Sequence, residues 1–414
     1  MNRTLRIVLL ASVAIVLVVC SFSGGMVAGR FIPALRPAVI ANVPVATSTG
    51  GNQGGTPADL QSLFTPFWEA WTIIHQQYVD QPVDNTKLMQ GAINGMMMSL
   101  GDPHSTYMTP QVYQDATSQL QGSYAGIGAY VDTEGTLLTI TKPIANSPAE
   151  KAGLQAGDQI IAVDGNDVTS LPPEAVRQKV LGTAGTTVKL TIQRAGQTAP
   201  IVVDITRAVI VIPSVTSKML DNNIAYIQIS TFGETTAKDL HDQLAKLMTQ
   251  NPKGLILDLR DNGGGYLDTA ISVASEFIPS GVIVSEKAGD GTITAHKAIS
   301  GGLATNNSLP MIVLGNAYSA SASEIVAGAL QDTGRAKLLG VTTYGKGSVQ
   351  NWVPLTDNQG AVRITIARWL TPKGRTIDKK GLTPDIVVTM TADDVKAGKD
   401  PQLDAAVKQL TSPQ

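Results

Sequence analysis

Between residues 223 and 340, short apolar runs alternate with helical patterns, an order that few folds accommodate. "NIAYIQIS" reads as a strand, "TAKDLHDQLAKLMTQ" as a helix and "GLILDLR" as a buried strand. A glycine turn follows, then a helix from about 266 to 278, the strand "MIVLG", the helix "SEIVAGALQD" and the strand "AKLLGV". Strands that alternate with helices form an α/β core. With 414 residues, 43% of them hydrophobic and 15% charged, the chain can bury a large core and has room for two or three domains.

Upstream the pattern differs. Residues 40 to 57, "IANVPVATSTGGNQGGTP", are uncharged and rich in Gly, Ser, Thr and Pro, so the stretch 31–58 reads as a flexible linker. Residues 59–120 read as a helical region, with apolar spacing of three and four in "DLQSLFTPFWEAWTIIHQQYVD" and "NTKLMQGAINGMMMSL". "GDPHSTYMTP" interrupts it, and a turn or capping role is favoured for His104 over a functional one. Residues 121–208 are β-rich: "GIGAYVDTEGTLLTITKP", "DQIIAVDGNDV" and "TTVKLTIQR" alternate as short strands, with "PPEAVRQKVL" a helix among them. Residues 209–414 hold the α/β core and a C-terminal segment. No tandem repeat is present.

Residues 1–30 set a compartment. Arg3 and Arg6 precede 23 uncharged residues that end at Arg30, enough to cross a bilayer as a helix with its basic end in the cytoplasm. We expect a retained single-pass anchor in the cell membrane, the rest of the chain lying outside the cytoplasm, periplasmic or extracellular. A signal peptide cleaved after "VAG" at 27–29 is the alternative. The single cysteine, Cys20, excludes a disulfide framework or a cysteine zinc site within one chain. A formal net charge of −2 without charge blocks points away from nucleic acid.

Two glycine-containing stretches invite chemistry. In "YAGIGAYV" a turn runs into a strand, and "SPAEKAGLQAGDQIIAVDGNDV" follows; together they resemble a PDZ domain, with Gly126, Ile127 and Gly128 where a terminal carboxylate would bind. Consecutive backbone N–H groups can hold such a carboxylate while the strand edge adds a peptide. A hairpin without a ligand is the plainer reading. "GVTTYGKGS" at 340–348 imitates a phosphate loop, but Gly347 stands where Ser or Thr should hold magnesium, and no helix-forming run follows. Lys346 therefore needs another explanation, the plainest being a solvated lysine in a turn.

"NAYSASASEI" places serines at 319, 321 and 323. Ser321 with Glu324 fits a helix capping box, which needs no catalysis. The same N-cap position also suits a nucleophile, because free N–H groups there favour negative charge. No "GxSxG" elbow occurs, and none of the four histidines, His75, His104, His241 and His296, lies in a persuasive context. A lysine whose charge is suppressed by burial can serve as the base.

"NAYSASASEIVAGALQD" followed by "VTTYGKGSVQ" resembles the catalytic signature of the carboxyl-terminal processing peptidases, or tail-specific proteases. "KGLILDLRDNGGG" is similar to their glycine turn, and "GLTPDIVV" with "DPQLDAAVKQL" to their C-terminal segment, so the resemblance spans residues 60–414. It implies an α+β multidomain build: a membrane anchor, a helical region, a PDZ domain and a crotonase-like α/β catalytic core. It implies a serine endopeptidase with Ser321 as nucleophile, Lys346 as base and Gln350 in support, Ser319 and Ser323 as supporting residues, and no metal or other cofactor. The oxyanion donors would be Ala322 and Gly264, with Gly265 close behind. Its partners would be proteins with exposed apolar C-termini, with an activating adaptor and a homodimer also in view. Two departures stand out. "DNGGG" has Gly263 where relatives often have proline, which loosens the turn. Leu181 precedes Gly182 where relatives often carry an arginine, and Arg177 is the nearest substitute for a PDZ-to-core relay. Two other readings remain open: an inactive PDZ scaffold in the cell envelope, and a histidine-based hydrolase.

Overall fold

The computed structural model describes residues 58–412. The expected anchor, and the linker up to residue 57, lie outside the described residues. Among the described residues, no helix is long and apolar enough to cross a membrane. The chain divides into two units at Asp84/Asn85, inside the expected helical region. The first unit contains the helix Gln61–Gln77. Its aromatic rings run along it, Phe67 edge-on to Trp68 at 5.0 Å and Trp71 stacked on His75 at 5.2 Å.

The second unit is built on two sheets and an inserted module. The core sheet runs in the order Val215–Leu220, Ile224–Ile229, Gly254–Asp258, Met311–Gly315, Lys337–Gly340, Ile386–Val387. Its first pair is antiparallel and every later pair parallel. Gly254–Asp258 and Met311–Gly315 are buried along their whole length. Two-residue alternation divides their side chains between two cores. Leu255, Leu257 and Val313 pack with residues of the helices Thr236–Met248, Leu267–Ser275 and Ala322–Asp332. Ile256, Ile312 and Leu314 face the other way, against Leu403, Ala406 and Leu410 of the helix Pro401–Thr411.

The second sheet centres on Ala361–Leu370, which pairs antiparallel with Thr106–Met108, Val282–Ala288 and Ser348–Pro354. It places the residues just after 105 and the strand that follows Lys346 on either side of Ala361–Leu370. The inserted module has the strand order Ala129–Asp132, Thr139–Pro143, Gln159–Val163, Thr187–Gln193, Ile201–Thr206, around a core that includes Ile140, Val188 and Ile192. The expected helix is Pro173–Val180. Ser123–Gly126 pairs with Ala208–Val211 and closes the module where it joins the core.

Candidate active site

The three alternating serines have different surroundings. Ser319 is buried; its hydroxyl donates to the Leu259 carbonyl at 2.7 Å and accepts from the Asn316 N–H at 2.9 Å. Ser323 is fully buried and donates to the Asn262 carbonyl at 2.8 Å. Both outer serines thus pin the loop to the strand end and turn beside it. Ser321 between them is partly exposed and caps the helix Ala322–Asp332 at φ 55°, ψ −114°. That backbone conformation costs a residue with a Cβ on the order of 1–3 kcal/mol and persists only where surrounding contacts enforce it. The Ala322 N–H, at the first helical position, belongs to those that helix geometry leaves without an intrahelical partner.

Glu324 does more than cap. It is fully buried, and its carboxylate accepts four hydrogen bonds. Oε1 takes the Thr343 hydroxyl at 2.6 Å and the Gly345 N–H at 2.7 Å. Oε2 takes the Ser321 N–H and the Lys346 N–H, both at 2.9 Å. The backbone nitrogens of Ser321 and Lys346 therefore lie within twice that distance of each other. Burial pushes the Glu324 carboxyl up, and the four donors oppose it. The spacing of Ser321 and Glu324 shows only the local half of this arrangement, because the other donors lie some twenty residues further on.

The lysine turn is also fixed by residues further along the chain. Gly345 has φ +91°, and a methyl group there would lie 2.8 Å from the Gly381 nitrogen, so only glycine fits. The buried Trp369 donates its indole N–H to the Lys346 carbonyl at 2.9 Å. Burial lowers the Lys346 pKa and the Arg363 charge lowers it further, against the pull of Glu324 and Asp102. A desolvated lysine that loses its proton more readily can act as a base. Among the described residues, no hydrogen bond joins Ser321 Oγ to Lys346 Nζ. Gln350 follows on the strand Ser348–Pro354, at a bulge between Val349 and Gln350 that re-aims its side chain. Its amide donates to Ser348 Oγ at 2.8 Å and Thr365 Oγ1 at 3.1 Å.

The glycine turn lies against Ser321. Gly264 has φ +105°, and a methyl group on it would meet the Ala320 oxygen at 2.8 Å, Ser321 Cβ at 2.9 Å and the Ala322 nitrogen at 3.0 Å. Its own N–H donates to Asn262 Oδ1 at 2.9 Å, so this expected oxyanion donor is engaged. Asn262 is fully buried; it also bonds the Ile229 carbonyl and accepts the Ala320 N–H on its own carbonyl. Sequence reasoning passed over Asn262, although a buried amide beside a glycine turn is the usual way to fix such a loop.

The module's glycine loop is covered. A methyl on Gly126 would lie 2.8 Å from Tyr124 Cε2 and 3.1 Å from Leu181 Cδ2. Ile127 is buried in the module's core, and Gly128, at φ +80°, lies against Ser147. The strand Ala129–Asp132 is at the sheet's edge, open for an added strand. Arg177 is held by Glu174 at 2.6 Å and lies 3.9 Å from Asp115 of the helix Pro110–Leu120. His104 stands close enough to Lys346 that, after burial, the lysine charge is the main cause of its lowered pKa.

Fold and site together define a serine-type peptidase with a PDZ-type module set into it. Comparison with known proteins bears this out. The family profile for Peptidase family S41 matches residues 223–388, the PDZ domain profile matches 139–194, and a profile described as the Activating protease CtpB N-terminal domain matches 45–112. A carboxy-terminal-processing protease of Bartonella bacilliformis is 40% identical over 339 residues, 81% of this chain and 77% of that protein. The carboxy-terminal processing protease CtpA of Bacillus subtilis is 39% identical over 362 residues, 86% and 76% of the two chains. An S41 protease structure from Bacteroides fragilis, 16% identical, covers 82% of this chain and 96% of its own with a TM-score of 0.52, a likeness of fold. The chain belongs to the carboxy-terminal processing proteases of peptidase family S41.

Proposed function

We propose that this peptidase recognises apolar C-terminal tails of substrate proteins through its PDZ domain and cleaves them with a Ser321–Lys346 dyad. The observation that carries this reading is the Glu324 carboxylate. One oxygen accepts the N–H of both Ser321 and Lys346, so a strained serine and a desolvated lysine share one anchor. Neutral Lys346 takes the Ser321 proton as Oγ attacks the scissile carbonyl. The Ala322 N–H receives the oxyanion, and Gly264 joins it once its N–H turns from Asn262, with Gly265 close behind; each such donor contributes on the order of 3 kcal/mol. Lys346 then passes its proton to the leaving amine, and water releases the acyl-enzyme. Gln350 orients the lysine.

The parallel sheet with its packed helices supports a crotonase-like core, and the open edge at Ala129–Asp132 supports capture of a tail as an added strand. The basic residues before the uncharged N-terminal run support a membrane anchor with catalysis outside the cytoplasm. The exposed Leu63, Trp68 and Ile73 support pairing with a second copy or an activating partner.

The test is cleavage of an unfolded protein with an apolar C-terminus, followed by mass spectrometry. Ser321→Ala and Lys346→Ala should each lose about 10³- to 10⁴-fold in rate. In the wild type the rate should rise with pH through the lysine pKa, at a point below the usual 10.5, because only the neutral amine accepts the proton. Full activity in Lys346→Ala, with loss on substituting a histidine, would replace the dyad with a histidine base.

A further inference from the structure

The turn "GDPHS" before the strand Thr106–Met108 belongs to a segment of the chain remote in sequence from both Glu324 and Lys346. The strand pairs with Ala361–Leu370, setting Thr106 opposite Arg363. The Arg363 Nε donates to the His104 carbonyl at 2.9 Å. The Thr365 N–H donates to Ser105 Oγ at 3.0 Å, and Ser105 Oγ donates to Asp102 Oδ2 at 2.6 Å. The His104 N–H closes the turn on Asp102 Oδ1 at 3.1 Å. Thr365 is also the residue whose hydroxyl accepts from the Gln350 amide. One short turn thus touches the Gln350 support through Thr365 and brings a carboxylate into the electrostatic reach of Lys346.

We propose that the Asp102–Ser105 turn is a positioning element of the reaction: Asp102 supplies the negative charge that Lys346 meets once it holds the serine proton, and Ser105 with Thr365 fixes the Gln350 amide. This rests on the dyad proposed above. Asp102 is suited to the role because it stays ionised. Burial works against its charge, but the Ser105 and Thr365 hydroxyls and the His104 N–H outweigh it and bring the carboxyl down to about 2. The charged groups facing Lys346 are Arg363 from the central strand, Glu324 from the serine helix, and Asp102 with His104 from this turn. His104 itself also faces Arg363 and Asp378. Glu324 and Asp102 are thus the two carboxylates that answer a charge on the lysine, Glu324 with the larger pull and Asp102 from a separate segment of the chain.

The experiment uses the full chain as wild type, Asp102→Asn, Asp102→Glu and Thr365→Val, with Ser321→Ala and Lys346→Ala as controls. Two quantities are read: kcat/KM against pH on a peptide with an apolar C-terminus, and the pH midpoint at which acetic anhydride labels Lys346, followed by mass spectrometry. Asp102→Asn should lower the kcat/KM plateau about ten- to hundredfold, the worth of a charged contact. It should also move both the acid limb and the labelling midpoint to lower pH, because the lysine loses the charge that favours its protonated form. Thr365→Val should lower the plateau about tenfold and leave the midpoint in place. A plateau lost in Asp102→Asn with an unmoved midpoint marks a merely structural contact and overturns the proposal. Wild-type kcat/KM in Thr365→Val overturns the Gln350 half. Asp102→Glu keeps the charge, and a midpoint there lowered as far as in Asp102→Asn overturns the proposal; if Asp102→Asn does not fold, Asp102→Ser removes the charge with a smaller side chain, and an unmoved midpoint there overturns it equally. The labelling needs no turnover. Cleavage retained by Lys346→Ala would instead overturn the dyad, and is separately visible.

Discussion

Two glycine turns in this chain look alike in sequence and differ in what lies against them. At Gly264 the backbone closes on Ser321, so that the space a side chain would need is filled by the Ser321 Cβ and the Ala322 nitrogen. At Gly126–Gly128 the same need for glycine is met by the chain's own Tyr124 ring and by Ser147. The first turn is held by a buried amide, Asn262, whose Oδ1 accepts the Gly264 N–H at 2.9 Å. The second is packed by side chains, Tyr124 and Ser147. Glycine marks a close approach in both cases. The approaching group, which the glycines do not reveal, decides whether a turn is set for chemistry or for recognition.

The largest effect should come from adding a methyl to each turn. Gly264→Ala would press on Ser321 Cβ at 2.9 Å in a conformation that alanine resists, and kcat/KM should fall about 10²- to 10³-fold, as when an oxyanion donor is removed. Gly128→Ala is as crowded, with Ser147 Cβ at 2.5 Å and φ +80°, and should lower the melting temperature through about 1–3 kcal/mol of strain. Turnover of a short peptide that never engages the PDZ domain should stay within severalfold of the wild type. Equal losses in the two variants would break the comparison and make the turns one cooperative unit.

A middle-sized effect should separate cover from contact. If Tyr124 occupies the place of a ligand carboxylate, Tyr124→Ala should tighten binding of a peptide with an apolar C-terminus about three- to tenfold, by relieving competition within the chain. Calorimetry on the wild type and the variant reads this directly. Weaker binding would show that the ring belongs to the recognition surface.

Much of this was legible before the structure. The parallel part of the core sheet follows from alternating strand and helix patterns, and each strand and helix read between 223 and 340 forms close to its expected span. Ser321, Lys346 and Gln350 sit in short motifs. The second sheet was not legible. Ala361–Leu370 does alternate, Val362, Ile364 and Ile366 with Arg363 and Thr365, but its three partner strands come from distant parts of the chain, and local alternation names no partner. The long-range polar contacts were also hidden. Arg260, two residues before Asn262, forms bidentate bonds with Asp258 and, at 2.8 Å, with Asp400, the residue that caps the C-terminal helix. Local periodicity carries no trace of a partner 140 residues away. Glu324 belongs to the same class: its capping spacing is visible, its grip on Lys346 is not.

The smallest expected effect tests whether the recognition turn and the catalytic turn communicate. Arg177 on the PDZ helix lies 3.9 Å from Asp115, and Gln178 donates to the same carboxylate at 3.3 Å. The helix that carries Asp115 ends at Leu120, whose carbonyl accepts the Glu234 N–H at 2.8 Å, next to the Phe232 that bonds the Gly264 carbonyl. Tyr113 of that helix lies 6.4 Å, ring to ring, from Trp352, two residues beyond Gln350. The Arg177–Asp115 pair is partly exposed, so Arg177→Ala should change stability by less than about 1 kcal/mol. Its informative readout is the ratio of turnover for a tail-bearing substrate to that for a tail-less peptide, which should fall about twofold if the helix carries the signal. An unchanged ratio would rule out this helix. It would leave the ribbon of Ser123–Gly126 and Ala208–Val211, where both ends of the PDZ module leave the core, as the path between the two turns.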